Sequence, residues 1–231
     1  MIKTVLFDLD GTLLPMDNEE FTKCYFKLLC KKLAPLGYDP EELVKGVWSG
    51  TAAMVKNDGS HTNEEVFWQE FARVSGERVM RDRGVIDDFY INEFKESKAV
   101  CGYNQQLVDL VYRLKDRGYR VALATNPIFP SVATEARIRW AGFEPSDFEL
   151  FTTYEDIGFC KPNPDYYREV LRRMNSAPEE SIMIGNDAVE DTAAQAVGMQ
   201  VYLLTDNLIN KDGRDIAVYP HGGVDGIEKL L

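Results

Sequence analysis

"TVLFDLDGT", residues 4–12, begins as an apolar run and ends in two aspartates, Asp8 and Asp10. The apolar run predicts a buried strand. A carboxylate at the end of a buried strand is costly unless it is paired or bound to a metal, so a fold that places two there is expected to use them. The rest of the chain must therefore supply partners for Asp8 and Asp10.

Regular helical spacing dominates the sequence after this first strand. From about residue 15 to residue 100, apolar residues recur every three or four positions, and the spacing predicts helices without an intervening strand. Helices are expected to start at Asp39-Pro40, where an N-cap precedes a proline, and at Asn63, and a further helix is expected over 79–95. The sequence therefore predicts an all-helical unit inserted after the first strand.

From about residue 103, predicted helices and strands alternate. The predicted strands are "YRVALATN" at 119–126, "ELFTT" at 149–153, "SIMIGND" at 181–187 and "MQVYLLTD" at 199–206. Such alternation is typical of a parallel sheet covered by helices on both faces. We therefore predict the α/β class, with a doubly wound parallel-sheet, Rossmann-like core formed by residues 1–14 and 101–231 and an all-helical domain at 15–100.

Composition narrows the possible partners. A formal net charge of -12 repels a polyanion, and no stripe of Lys and Arg interleaved with aromatics is present, so nucleic acid is not expected as a partner. The four cysteines form no CxxC pair and the chain has two histidines, which leaves few zinc ligands and favours reduced thiols. No segment has the uninterrupted apolar length that spans a bilayer, so a cytoplasmic protein without a membrane partner is expected.

Polar side chains lie at or just after the ends of the first four predicted strands, where an open parallel sheet has its ligand crevice. They are Asp8 and Asp10 after the first strand, Thr125 and Asn126 after the second, Lys161 after the third, and Asn186, Asp187 and Asp191 after the fourth. Each alone has an ordinary structural explanation: Lys161 could be a solvated loop residue, and Asp187 with Glu190 fits a capping box. Their conjunction at successive strand ends points to one shared site.

In that order of motifs, the chain resembles the haloacid dehalogenase superfamily along its whole length. The four motifs are Asp8-Leu-Asp10-Gly-Thr12, then Thr125, then Lys161, then Gly185-Asn186-Asp187 with Asp191. The resemblance implies that residues 15–100 form a helical cap domain. The family usually places its first acid of the fourth motif directly after the glycine, where this chain has Asn186. The three-residue gap between Asp187 and Asp191 favours Asp187 as that acid, with Asn186 as the alternative.

The resemblance implies a phosphatase whose substrate is a small phosphomonoester, that is, a small phosphorylated metabolite. Asp8 would be the nucleophile that takes the phosphoryl group as an aspartyl-phosphate, and Asp10 would act as general acid and base. Thr125 and the Asn126 N–H would hold phosphoryl oxygens, and Lys161 would offset the negative charge on Asp8 and on the phosphoryl group.

Mg²⁺ is the cofactor that the resemblance implies, with Asp8, the Asp10 carbonyl and Asp187 as ligands and Asp191 supporting the ion directly or through water. Close carboxylates repel one another by roughly 4 kcal/mol per pair at an effective dielectric near 20, and a divalent cation would relieve this repulsion. Oxygen ligands suit a hard ion such as Mg²⁺. Asp187 and Asp191, four residues apart, are expected to turn toward the ion from one helix face.

Other functions are weighed against this one. A phosphomutase shares every core residue and differs in how the cap handles the intermediate, so it is the main alternative. A dehalogenase does not need Asp10. A phosphorylation-controlled regulatory protein would carry its accepting aspartate after a later strand and would lack the large insert. A catalytically silent binding protein would be expected to have lost Asp8 or Asp10.

Substrate choice is expected to reside in the cap. Three polar residues of the loop between two predicted helices are candidates to reach the crevice: Lys56, Asn57 and His61. Three aromatic residues of the predicted cap are interpreted as its core: Phe67, Trp68 and Tyr90. The sequence does not distinguish among sugar phosphates, nucleotides and phosphoglycolate as substrates.

Overall fold

The computed structural model describes residues 1–231 and is built around one sheet of five parallel strands. The strands are β1 (Thr4–Phe7), β2 (Arg120–Leu123), β3 (Ser181–Gly185), β4 (Gln200–Leu204) and β5 (His221–Gly222). Their order across the sheet is β2-β1-β3-β4-β5, so the chain winds outward in both directions from β1. The predicted α/β class with a doubly wound parallel sheet is confirmed.

Nine α-helices accompany the sheet. They are α1 (Asn18–Leu33), α2 (Pro40–Val55), α3 (Asn63–Ser75), α4 (Arg78–Arg81), α5 (Arg83–Ile91), α6 (Gln105–Asp116), α7 (Ser131–Trp140), α8 (Pro164–Met174) and α9 (Val224–Leu230), with short 3₁₀ helices at 34–36, 93–100, 145–147, 178–180 and 191–197. None of them combines the length and the apolar composition needed to cross a bilayer.

Local capping explains where the inserted helices begin. The Asp39 carboxylate accepts hydrogen bonds from the N–H groups of Glu41 and Glu42, as predicted for an N-cap. Helix α3 begins at Asn63 as predicted, with Thr62 as the N-cap of a capping box. The single helix expected over 79–95 is instead divided into α4, α5 and the 3₁₀ helix that follows.

Two predicted elements of the sheet half differ in form. The expected strand at 149–153 is reduced to one bridge, between Phe151 and Leu123. This segment lies at the outer edge of β2, and just after the bridge the Thr152 hydroxyl donates to the Thr125 carbonyl oxygen. The helix expected after β3 is a 3₁₀ helix over 191–197, and it ends at Gly198 in the left-handed conformation, as predicted.

β1 lies between β2 and β3, and its side chains alternate between the two buried faces of the sheet. Val5 and Phe7 belong to a large hydrophobic cluster that continues without interruption into the helices between β1 and β2. Leu6 belongs to a second cluster on the opposite face, together with Tyr166 and Val170 of α8. β1 is therefore buried on both faces through its last residue, Phe7, and Asp8 follows directly at its carboxyl end.

The chain between β1 and the start of α6 contains helices and no strand of the sheet. Its two ends run side by side, because Gly102 N donates to the Pro15 carbonyl oxygen at 2.6 Å. Asn63, which is fully buried, fastens this helical segment to the loop after β2 by donating to the Pro127 carbonyl oxygen at 3.1 Å. The segment therefore lies over the carboxyl edge of the sheet.

Candidate active site

The carboxyl ends of β1, β2 and β3 meet at one edge of the sheet, because Asp8 N donates to Ile184 O and Ala124 N donates to Phe7 O. One cavity opens at this edge. The predicted site residues that line it are Asp8, Asp10, Thr125, Asn126, Asn186, Asp187 and Asp191. The structure thus brings seven of the eight candidates together around one space, and Lys161 lies directly behind them.

Lys161 is 1 % exposed and bridges two of the acids. Its Nζ donates to Asp8 Oδ1 at 2.9 Å and to Asp191 Oδ1 at 2.7 Å. Burial alone would lower the pKa of Lys161, but the carboxylates of Asp191 and Asp8 raise it well above its usual value. The lysine is therefore a fixed positive charge beneath the cavity rather than a solvated loop residue.

The pKa of the Asp8 carboxyl group is strongly raised. Burial raises its pKa from its usual value of about 3.9 to about 7; Asp191 and Asp10 add to the rise, and Lys161 opposes it. The single lysine thus compensates only part of the negative charge. Asp8 Oδ1 faces Lys161, whereas Oδ2 has only a long contact of 3.4 Å from the Thr12 hydroxyl.

Asp191 is committed to its protein neighbours. Its Oδ1 accepts from Lys161, and its Oδ2 accepts from the Asp187 N–H at 2.9 Å. A Cβ at Gly185 would lie 2.1 Å from Asp191 Oδ2, so this close approach requires glycine. The sequence spacing led us to expect that the carboxylates of Asp187 and Asp191 turn toward a common position. In the structure, the Asp191 carboxylate instead points to Lys161 and to the Asp187 N–H.

Asp187 and Asn186 differ in how freely they face the cavity. Asp187 Oδ1 accepts from the N–H groups of Val189 and Glu190, and its Oδ2 makes no hydrogen bond. Asn186 is 1 % exposed, accepts from the Thr12 hydroxyl at 3.0 Å and donates to the Asn207 carbonyl oxygen at 2.7 Å. Asp187 therefore offers the freer oxygen of the two.

Asp10 has a partner that sequence reasoning missed. Arg137 of α7 is fully buried and forms an ion pair with Asp10 Oδ2, while its guanidinium lies 4.4 Å from the centre of the Phe129 ring. Asp10 Oδ1 is buried and has no hydrogen-bond partner. A single arginine within a helix carries no local signal that it will be buried, so only the packing of α7 reveals it.

The phosphate-binding candidates are held by neighbouring loops. The Thr125 carbonyl oxygen accepts from the hydroxyls of Thr152 and Tyr166, and the Thr125 hydroxyl itself makes no hydrogen bond within the protein. Asn126 Oδ1 accepts from the Lys161 N–H, and its Nδ2 donates to Glu190 Oε1 at 3.1 Å. Each contact fixes the loop after β2 relative to Lys161 and the fourth motif.

Glu190 is a second residue whose place in the site the sequence did not indicate, beyond its expected role in a capping box. It lines the cavity, and burial raises its pKa to about 8, with Lys161 opposing the rise. Its side chain turns to Asn126 rather than back to the N-terminal end of its own segment. Five carboxyl groups thus line the cavity, and the neighbouring cationic groups are Lys161 and Arg137.

A divalent cation fits this excess of negative charge. No three acidic, histidine or cysteine side chains stand at metal-binding distance from one another. The protein would therefore supply at most two side-chain ligands to a metal ion. Asp187 Oδ2 makes no hydrogen bond, and no hydrogen bond occupies the Asp10 carbonyl oxygen. Asp8 Oδ1 keeps a lone pair beside its single bond to Lys161, which leaves Asp8 Oδ2 for other chemistry. Mg²⁺ typically takes one or two carboxylate ligands from the protein and fills its remaining coordination positions with water and phosphate oxygens.

The roof of the cavity is aromatic. Phe67, Trp68 and Tyr90, which the sequence led us to interpret as cap core, all line it. Of the polar candidates from the preceding loop, none lines the cavity: Asn57 is buried and donates to Asn63, and His61 is exposed beside Glu65. Periodicity could place these aromatics on the buried face of a helix but could not tell a packed core from a cavity wall.

Known proteins share sequence and fold similarity with this chain. A family model described as haloacid dehalogenase-like hydrolase matches residues 2–198. The chain is 28% identical over 243 residues to glyceraldehyde 3-phosphate phosphatase of Methanothermobacter thermautotrophicus, covering 100% of this chain and 98% of that protein. It is 26% identical over 202 residues to a pyrophosphatase of Bacillus pumilus, covering 85% of this chain and 80% of that one. The solved structure of a phosphatase from Thermococcus onnurineus has the same fold, with a TM-score of 0.60 at 19% identity and coverage of 100% and 98%.

Proposed function

The chain belongs to the haloacid dehalogenase-like hydrolases, and we propose that it is a Mg²⁺-dependent phosphatase that hydrolyses a small phosphomonoester through an aspartyl-phosphate on Asp8. The observation that carries the proposal is the arrangement around Asp8. Its Oδ1 is anchored by a buried lysine, its Oδ2 is nearly free, and a second carboxyl group, Asp10, lines the same cavity. A buried, anchored carboxylate beside a second acid suits nucleophilic attack followed by proton transfer.

In the first step, Asp8 Oδ2 attacks phosphorus and forms a new P–O bond while the bond from phosphorus to the leaving oxygen breaks. That oxygen takes a proton from the Asp10 carboxyl group, so the alcohol leaves uncharged. In the second step, water attacks the phosphorus of the aspartyl-phosphate and gives its proton to Asp10. Inorganic phosphate leaves, and Asp8 returns as a carboxylate.

Three groups stabilise the charge that develops on the phosphoryl oxygens. Lys161 is already held against Asp8 Oδ1 and requires no rearrangement to oppose the growing negative charge. The free hydroxyl of Thr125 and the N–H of Asn126 stand at the end of the neighbouring strand, where they would orient the phosphoryl oxygens. Asp191 acts through its bonds to Lys161 and to the Asp187 N–H, which position both residues.

Asp8, the Asp10 carbonyl and Asp187 would hold Mg²⁺. When bound, the ion would neutralise carboxylate and phosphate charge and so allow the substrate to approach an acidic cavity. Asp187 is the preferred fourth-motif ligand because its Oδ2 is free, whereas both ends of the Asn186 amide are hydrogen-bonded.

Replacement of Asp187 by asparagine tests this ligand. Asparagine retains the oxygen that caps Val189 and Glu190 but loses the charge, so the fold is kept and metal binding is weakened. We expect the Mg²⁺ concentration that gives half-maximal activity to rise at least about 10-fold, because losing a residue that merely orients a metal ligand already costs about 10- to 100-fold in metal affinity. Magnesium titrations of phosphate release measure this shift.

Asn186→Asp is the matched comparison for that titration. It keeps the shape of the side chain and places an acid at the position that the family usually uses. If Asp187→Asn leaves the magnesium titration unchanged while Asn186→Asp alters it strongly, Asn186 rather than Asp187 is the ligand.

We also propose that residues 15–100 act as a cap over a core formed by residues 1–14 and 101–231. The backbone hydrogen bond between Gly102 and Pro15, at the two ends of the helical segment, supports this division. The four free cysteines are consistent with the cytoplasmic location that belongs to the same proposal. The substrate would be a small phosphorylated metabolite, because the helices cover the carboxyl edge of the sheet.

Phosphate release from a panel of small phosphomonoesters tests the function itself. We expect release that requires Mg²⁺, stops when EDTA is present in excess, and returns when Mg²⁺ is restored. Persistent activity in EDTA would contradict the metal requirement. Absence of release from every member of the panel, by a folded protein supplied with Mg²⁺, would contradict the phosphatase proposal.

A further inference from the structure

The cavity above the acids has a volume of about 230 Å³, and 16 of its 27 lining residues are hydrophobic. Its floor is the acidic edge of the sheet described above. Its roof and walls come from α1, α2, α3, α5 and the loop after β2, and they include the rings of Phe21, Tyr25, Phe67, Trp68, Tyr90 and Phe129. The space next to the reacting groups is therefore bounded by aromatic surface.

Two of the hydroxyls in this wall are paired with each other. The hydroxyls of Tyr25 and Tyr90 are hydrogen-bonded at 2.8 Å, so one of their two protons is already engaged. Trp68 Nε1 is buried and makes no hydrogen bond; the Tyr154 hydroxyl lies near it without reaching hydrogen-bond geometry. The wall thus offers a largely aromatic surface, and the polar groups it presents, such as Trp68 Nε1–H, the Thr22 hydroxyl and the Asn18 amide, carry no charge.

No lysine, arginine or histidine lines the cavity. The guanidinium of Arg83 lies 4.8 Å from the centre of the Trp68 ring, outside the lining, and it is paired with Glu64. Arg137 lies against Phe129 and is paired with Asp10. A carboxylate or a second phosphate on the substrate would therefore meet aromatic rings and find no free cation, which makes its burial unfavourable.

A void of this size is not a feature of ordinary packing, because protein interiors leave few spaces larger than a water molecule. An apolar cavity of about 150 Å³ already accepts benzene. The cavity described here is larger and adjoins the proposed nucleophile, so it can hold a ring or a branched alkyl group attached to a phosphoryl group.

We propose that the substrate is a phosphomonoester of an uncharged, aromatic or strongly apolar alcohol, in which the phosphoryl group is the only anionic group. This inference rests on the proposed phosphatase function and narrows its substrate class. It disfavours phosphoglycolate and sugar bisphosphates. It also disfavours the phosphomutase alternative where the intermediate carries two phosphates.

Matched substrate pairs test the proposal with the full chain and Mg²⁺. Benzyl phosphate is expected to exceed ethyl phosphate in kcat/KM on the order of 10- to 100-fold, because the ring is removed from water. Propyl phosphate is expected to exceed 2-phosphoglycolate, which has similar size and an added carboxylate, by a similar factor. Equal or reversed preferences in both pairs would overturn the inference while leaving the phosphatase proposal intact.

A cation introduced at the mouth of the cavity provides a second test. Trp48 lines the cavity and is 51 % exposed, so Trp48→Lys places an ammonium group there without burying it in the core. We expect the ratio of kcat/KM for 2-phosphoglycolate to that for propyl phosphate to rise about 10-fold or more. Val55→Lys is the control, because Val55 lies on the same helix, is 43 % exposed and does not line the cavity. An equal change of the ratio in both variants would contradict the assignment.

Binding separates a wrong substrate class from a wrong function. Benzylphosphonate and ethylphosphonate cannot be hydrolysed at the phosphorus–carbon bond, and calorimetry reports their affinities directly. Tighter binding of benzylphosphonate in a protein that hydrolyses nothing would support the cavity assignment and reject the phosphatase proposal. Equal affinities in an active enzyme would reject the cavity assignment alone.

Discussion

Asp8→Asn is expected to abolish turnover, with a fall in kcat on the order of 10⁴-fold or more, as expected when a covalent nucleophile is removed. The amide has the shape of the carboxylate but cannot form the acyl-phosphate bond. Phosphate release from the best substrate, measured under saturating Mg²⁺, gives the ratio. Residual activity within about 10-fold of the unaltered protein would exclude Asp8 as the nucleophile.

The same substitution has an opposite effect on stability, and this effect serves as its control. Asp8 releases its proton near pH 4 in the unfolded chain and near pH 7 in the folded one. Between these values the folded state binds more protons, so the stability of the unaltered protein falls as the pH rises. Asparagine does not titrate and escapes this loss.

In EDTA we therefore expect Asp8→Asn to unfold at a higher temperature than the unaltered protein above pH 7, with the difference shrinking toward pH 4. Thermal unfolding across this range, followed by circular dichroism, measures both curves. A variant that is inactive and also less stable at every pH would point to misfolding, and the loss of turnover would then say nothing about the nucleophile.

Asp10→Asn is expected to lower kcat on the order of 10²- to 10⁴-fold for an alkyl phosphomonoester, because neither the leaving oxygen nor the attacking water has its proton partner. With p-nitrophenyl phosphate the leaving anion needs no proton. The first turnover should then survive while the second step is slow. Rapid-mixing measurements should show a burst of p-nitrophenolate equal to the enzyme concentration. Steady release without a burst would contradict the assignment of the second step to Asp10.

Arg137 offers a way to test the same carboxyl group from outside the cavity. It contacts Asp10 Oδ2, so Arg137→Met should act through Asp10 and share its dependence on the leaving group. If so, Arg137→Met lowers kcat in the native background and adds little in the Asp10→Asn background. Independent losses that multiply would show that Arg137 affects the site by another route, such as the packing of α7.

The sequence was sufficient for the architecture because its signals are local. Alternating apolar helices and strands predicted the parallel sheet, and the capping pattern at Asp39 and the glycine at 198 predicted where helices begin and end. The weaker elements depended on tertiary context. The segment at 149–153 has the composition of a strand, yet at the sheet edge it pairs over a single bridge before turning away.

The candidate site likewise contains some residues that the sequence predicts and others that only the structure reveals. Residues directly after strands were found from sequence because parallel strands deliver their carboxyl ends to one edge. Partners from elsewhere were not found: Arg137 lies in the middle of a helix, and Glu190 has a local capping explanation. The orientation of Asp191 was also beyond sequence, since spacing on a helix cannot show that Lys161 and the Asp187 N–H occupy both of its carboxylate oxygens.

Sequence by itself determined the alternation of helices and strands, the helical insertion after the first strand and the family to which the chain belongs, because each depends on residue type and spacing along the chain. Only the tertiary structure decided which charges compensate one another and what surrounds the substrate. Ion pairs such as Lys161 with Asp8 join residues 153 positions apart. The same hydrophobic residues can fill a core or line a cavity, and the choice depends on how separate helices pack against the sheet.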